Sequence, residues 1–108
     1  MVDSSVSLNK IFGALADVTR RDILERVSRA ECTISELAEP YAMSLAAIAK
    51  HISVLEKAGL ITKRRSGKEK VILIQPKTFK VAAAYLSEYE KIWSARFDAV
   101  SLQGFTKN

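Results

Sequence analysis

Residues 33–65 read "TISELAEPYAMSLAAIAKHISVLEKAGLITKRR", and the fold turns on how this stretch divides. Thr33, with Glu36 three residues on, spells a capping box that opens a short helix 3 from Ile34 to about Tyr41. Pro40 and the "YAMS" segment interrupt it, and Ser44 caps a helix 4 that runs to about Ala58. Gly59 follows where a helix terminus takes a left-handed residue. Beyond it, "LITKRRSGKEKVILI" reads as two strands, Leu60–Arg65 and Lys70–Ile74, around a turn at Ser66–Lys68. Short helix, tight turn, capped helix and hairpin together make the layout of a winged helix-turn-helix.

The flanks complete this layout. Leu8, Ile11, Phe12 and Leu15 recur at helical spacing and predict helix 1 over about Val6–Ala16. Asp17 caps helix 2, Val18–Arg29, whose apolar stripe is Ile23, Leu24 and Val27. Pro76 restarts the chain into a long helix 5, about Thr78–Leu102. The expected fold is mainly α with a small β-hairpin wing, in the order α–α–α–α–β–β–α. At 108 residues it is expected to form one domain.

Composition narrows the function. The chain is 48% apolar and 27% charged, as in an ordinary globular protein. No run of about 18 apolar residues predicts a membrane span. The start, "MVDSSVSLNK", lacks the basic cluster and apolar run of a secretory signal. Cys32 is the only cysteine, which excludes an intrachain disulfide and fits a reducing, cytoplasmic location. Net charge is +5, unevenly spread. Residues 1–43 carry five basic and seven acidic side chains, whereas residues 44–77 carry eight basic and two acidic. A local excess of this kind suits a polyanion, although a solvated lysine-rich face would have the same composition.

Helix 4 is where that surface acquires a shape. On a wheel at 100° per residue, Leu45, Ile48, Ile52 and Leu55 cluster on one side. Lys50 lies opposite, flanked by Ala46, Ala47, Ser53 and Lys57. Small and cationic residues on the outer face admit close approach to a DNA major groove, which is wide enough for one α-helix. Val54 also falls on the outer half and is expected to pack against the wing strands. The hairpin then carries Lys63, Arg64, Arg65, Lys68 and Lys70, with Gly67 permitting the tight turn. Cations set against phosphates release counterions and supply sequence-independent affinity.

Four segments, "IFGALADVTRRDILERV", "TISELAE", "MSLAAIAKHISVLEKAGLITKRRSGKEKVILI" and "YLSEYEKIWSARFDAV", together resemble the ArsR-type winged-helix repressors of bacteria. The likeness runs from about Leu8 to Leu102. It implies a homodimeric repressor on double-stranded DNA at a palindromic operator, with helices 1 and 5 forming the dimer interface. Positions matching the family's reading segment are Ser44, Ala46, Ala47, Ala49, Lys50 and His51, with Ser53 on the same outer face. Lys63, Arg64, Arg65, Gly67 and Lys68 fall in the wing. The family often has a serine where this chain has Ala49, which removes a hydroxyl that could touch DNA. His51, at the edge of the apolar face, is better suited to a phosphate or a neighbouring helix than to a base. The implied interface takes Leu8, Ile11, Phe12 and Leu15 from helix 1. From helix 5 it takes Tyr85, Tyr89, Ile92, Trp93, Phe97 and Val100, and the residues themselves support it. Together with Val81 they make an apolar stripe wider than one small core requires.

Many relatives of this type release DNA on binding a metal, and such a site needs three or four Cys, His, Asp or Glu ligands. Here helix 3 has no cysteine and the sole histidine is His51, so Glu88, Glu90 and Asp98 stand without imidazole or thiolate partners. No metal and no cofactor is expected. A dithiol switch fails with one cysteine per chain, leaving Cys32 as a packed residue or a lone thiol near a helix start. Control by a small organic effector, a protein partner or concentration alone fits equally well. No phosphate-binding glycine loop and no nucleophile–base set points to an enzyme. The rival from another class is a winged-helix module whose basic hairpin binds an acidic protein.

Overall fold

Side-chain caps fix where the helices begin. In the computed structural model, which describes residues 7–102 and side chains through Phe97, α1 spans Leu8–Leu15 and α2 spans Val18–Arg29. Ser7 Oγ accepts from the Lys10 amide at 3.3 Å, and Asp17 Oδ1 accepts from the Arg20 amide at 3.0 Å. The capping box at Thr33 is complete. The Glu36 amide donates to Thr33 Oγ1 at 3.1 Å while the Thr33 amide donates to Glu36 Oε1 at 2.8 Å. It opens α3, Ile34–Ala38, which is shorter than predicted. Pro40 has no amide to extend it, and the Tyr41 amide closes a turn onto the Ala38 carbonyl at 3.1 Å. Ser44 Oγ then accepts from the Ala47 amide at 3.1 Å and starts α4, Leu45–Lys57.

The end of α4 is fixed as firmly. The Gly59 amide donates to the Glu56 carbonyl at 2.9 Å and the Leu60 amide to the Leu55 carbonyl at 3.0 Å, the paired bonds of a Schellman motif. Gly59 sits at φ 79°, and a Cβ there would meet Thr78 Oγ1 at 3.2 Å. Gly59→Ala is therefore expected to cost about 1–2 kcal/mol from the left-handed backbone alone. Thermal unfolding checks this. A fall in Tm of about 4 °C or more is expected, and an unchanged Tm would refute the motif's role.

The sheet is richer than the sequence suggested. β2 (Ile61–Ser66) and β3 (Glu69–Ile74) form the hairpin, and a two-residue β1 (Cys32–Thr33) adds to the other edge of β3. The order is β1-β3-β2, all antiparallel, with Cys32 opposite Ile72 and Thr33 opposite Val71. Two residues show no alternation, so β1 exists only because the folded chain delivers them to an open strand edge. α5, Pro76–Leu102, closes the order, beginning two residues before the predicted start because Pro76 serves in the first turn.

Ile11, Ile23, Leu37, Ile48, Ile52, Leu55, Leu60, Ile61 and Ile72 are fully buried and come from α1, α2, α3, α4, β2, β3 and the α4–β2 link. Three expectations need correction. Leu45 does not join the packed face of α4 but is 54% exposed, because the first turn of that helix stands clear of the core. Val54 is 40% exposed and lines an open hollow with Arg20 of α2, a hollow to which no wing residue contributes. Ile11, assigned to the dimer interface, has no exposed surface in the subunit and belongs to its core. The expected start at Val6 and the side chain of Val100 lie outside what is described. No helix among the described residues is long and apolar enough to cross a membrane.

Candidate nucleic-acid interface

The turn that presents α4 is held from behind by α2. Arg26 donates to the Leu37 carbonyl at 2.7 Å and the Glu36 carbonyl at 3.0 Å, satisfying the end of α3. The same guanidinium lies 5.6 Å from the centroid of the Tyr41 ring, whose hydroxyl donates to the Asp22 carboxylate. Desolvation raises the Tyr41 pKa, and the Asp22 bond adds to the effect. The end of α3 and Tyr41 in the turn that follows are thus both held by α2.

On α4 itself, the buried line Ile48, Ile52 and Leu55 faces the core, and the opposite side is open. Ser44, Ala46 and Lys50 are exposed, as is Lys57, while Ala47, Ala49 and Ser53 are half-buried. Ala47, Lys50, His51, Ser53, Val54 and Lys57 line a shallow hollow of about 480 Å³ whose remaining wall is Arg20 of α2. Sequence reasoning missed Arg20. It also placed Leu45 on the buried side, whereas Leu45 and Met43 add apolar surface at the start of α4.

Arg20 explains the position of His51. Its Nε donates to the Ala14 carbonyl at 2.8 Å and its Nη2 to the Gly13 carbonyl at 3.2 Å, so it closes the end of α1. Nη1 lies 3.2 Å from His51 Nδ1, which accepts only if the imidazole proton sits on Nε2. Asp17 Oδ1 lies 4.0 Å from the same Nδ1. The Arg20 amide bonded to the Asp17 carboxylate lowers its pKa, and the Arg20 charge adds to this against the desolvation that raises it. His51 therefore meets the α1–α2 corner while also lining the hollow beside α4.

The wing turns tightly at Gly67–Lys68, with Ser66 opposite Glu69. Gly67 at φ 64° is the one left-handed residue of the pair, the pattern of a type II′ hairpin turn. Arg65, Lys68 and Lys70 are exposed there and have no carboxylate partner among the described residues. Lys63 and Arg64 do have partners. Lys63 Nζ lies 3.3 Å from Glu56 Oε1 on α4, and Arg64 Nη2 lies 2.8 Å from Glu31 Oε1.

This geometry has counterparts. Residues 15–64 match the helix-turn-helix domain family. The HTH-type transcriptional regulator YuzN of Bacillus subtilis is 47% identical over 77 residues, which is 65% of this chain and 84% of that protein. A crystal structure of an ArsR family transcriptional regulator superposes with a TM-score of 0.75 at 42% identity, covering 81% of this chain and 90% of that one. The chain belongs to the ArsR family of winged helix-turn-helix transcriptional regulators. It is accordingly a transcriptional regulator with a helix-turn-helix DNA-binding domain. The transcriptional repressor SdpR of Bacillus subtilis is 33% identical over 60 residues, 56% of this chain and 67% of that protein. The fold alone is shared with a homodimeric winged helix-turn-helix domain from Mycobacterium bovis. That domain has a TM-score of 0.63 at 20% identity, covering 82% of each chain.

In this ArsR-family chain α5 is only lightly anchored. Thr78 and Ala82 are buried and Phe79 leans on the core, but the rest of the described helix is mostly exposed. Phe12 of α1, Tyr85, Tyr89, Trp93 and Phe97 form a ladder of rings with successive centroids 6.0, 5.9, 6.5 and 6.3 Å apart. Ile92 and Leu86 are exposed beside it, and the sequence reading omitted Leu86 although its spacing to Ala82 and Tyr89 was visible. Leu8 and Leu15 are half-buried against the subunit core. Among the described residues, no group of three or more His, Cys, Asp or Glu is placed to hold a metal ion.

Proposed function

We propose that this regulator is a homodimeric repressor, one winged-helix domain per chain, that binds a palindromic operator in double-stranded DNA. A single observation carries the reading. α4 buries Ile48, Ile52 and Leu55 and leaves Ala46, Ala47, Lys50, Ser53 and Lys57 on its open side, with Leu45 and Val54 as the apolar groups there, next to an exposed basic hairpin. Ser44, Ala46, Ala47, Ala49, Lys50 and Ser53 would lie in the major groove, with the wing on the flanking backbone. The exposed ring ladder supports association through α5 and Phe12, because subunits seldom leave so large an apolar stripe uncovered. A twofold dimer would set its two α4 helices about one DNA turn, roughly 34 Å, apart. The repressor name of SdpR and the homodimeric state of the Mycobacterium bovis domain point the same way.

The regulatory input we propose is not a metal. On α5, Glu88 is engaged by Lys91 Nζ at 3.3 Å and Glu90 accepts from Ser94 Oγ at 2.6 Å, so these carboxylates already have local partners. A small organic molecule or a protein partner remains the effector class. Like other DNA regulators, the protein would work in the cytoplasm. Gel-shift titration against a duplex from the region upstream of its own gene tests the reading. With 6–10 phosphate contacts, affinity should fall about 10³–10⁵-fold between 50 and 200 mM salt. Absence of binding even at low salt would reject DNA in favour of an acidic protein partner.

A further inference from the structure

The five cations of the wing do not point one way. In an antiparallel pair, residues directly opposite each other share a sheet face, and the faces alternate along each strand. Ile61 is opposite Ile74, Lys63 opposite Ile72 and Arg65 opposite Lys70. That set contains the buried Ile61 and Ile72, so its face looks toward the helices. The Lys63–Glu56 contact agrees, since Glu56 belongs to α4. Arg64 is opposite Val71, on the other face. There it meets Glu31, the residue immediately before β1, at 2.8 Å. The pairing of Cys32 with Ile72 is what brings Glu31 to the back of the wing.

We propose that Glu31 sets the sequence-independent affinity of the DNA contact. Its carboxylate occupies the Arg64 guanidinium in place of a backbone phosphate. Arg65 and Lys70 on the helix side, with Lys68 at the tip, are then the wing's phosphate contacts. The inference rests on the DNA-binding reading and refines it. A charge-assisted bond from guanidinium to carboxylate has the same donor geometry as one to phosphate, so the two anions compete for one fork. Phosphate contacts carry no sequence information. Holding one arginine back therefore trims affinity for every duplex alike and lowers the salt dependence of binding.

The test is the salt dependence of binding by the full chain to two duplexes, the operator fragment and a scrambled one of equal length. Each phosphate contact contributes about 0.9 to the slope of log affinity against log salt, per wing. Arg65→Ala is expected to flatten the slope by that amount on both duplexes, and Arg64→Ala to leave it unchanged. Glu31→Gln is expected to steepen the slope by a similar amount and tighten low-salt binding to the scrambled duplex several-fold. Combining Glu31→Gln with Arg64→Ala should return it to the wild-type slope. Glu31 and Arg64 are at least half exposed at their side chains, and circular dichroism verifies that each variant is folded. Equal flattening by Arg64→Ala and Arg65→Ala, or no change in slope with Glu31→Gln, overturns the proposal while leaving DNA binding in place. No salt-dependent binding by the wild type overturns both.

Discussion

Replacing Trp93 with alanine is expected to move the protein from dimer toward monomer in sedimentation velocity, raising the dissociation constant about thirty- to a thousand-fold. Truncating a central tryptophan in a desolvated interface costs roughly 2–4 kcal/mol, and each 1.4 kcal/mol is about tenfold. Trp93 sits between Tyr89 and Phe97 in the ring ladder and is 50% exposed in the subunit, so half of its surface is left for a partner. The subunit core ends near Ala82, more than two helical turns earlier, and does not depend on this side chain. Helical content should therefore persist while association is lost. A folded variant that stays dimeric at the same concentration would place the interface elsewhere. The proposed repressor would lose operator affinity along with association, because two linked reading helices bind far better than one.

Lys50→Glu is expected to reduce DNA affinity by at least about 100-fold. A lost cation contact in the groove accounts for about 1–3 kcal/mol, and the introduced carboxylate adds like-charge repulsion against the phosphates. A dimer carries the change twice. Lys50 is exposed and has no carboxylate partner among the described residues, so the fold should tolerate the reversal. Fluorescence anisotropy with a labelled operator duplex measures the loss, and near-wild-type affinity would remove α4 from the groove. Because Ala46 and Ala47 present only methyl groups, Lys50 would carry a large share of the polar contact in the proposed complex.

Much of this architecture was legible because its causes are local. Asp17, Thr33 with Glu36, Ser44 and Gly59 each announce a helix boundary through a bond within five residues, and each stands where it was expected. The apolar periods of α2 and of most of α4 likewise match the buried residues found. The wheel failed at Leu45 because it assumes equal packing along the whole helix, while the first turn of α4 stands clear of the core. Val54 is exposed on the outer half where the wheel put it, without the wing packing expected of it. Ile11 was misplaced for the opposite reason. Apolar spacing marks it as facing inward but does not say whether its neighbour lies in the same subunit.

The sequence by itself determined the order of helices, the hairpin with its tight turn, and the concentration of positive charge in α4 and the wing. Only the tertiary structure decided which of those charges are free. Arg64 reaches Glu31 across 33 positions and Arg20 reaches His51 across 31, contacts that no local pattern encodes. Both depend on how distant elements are set side by side, β1 on the edge of β3 in one case and α2 against α4 in the other. Charge is a property of composition, but its availability depends on which neighbours the fold brings within hydrogen-bonding distance.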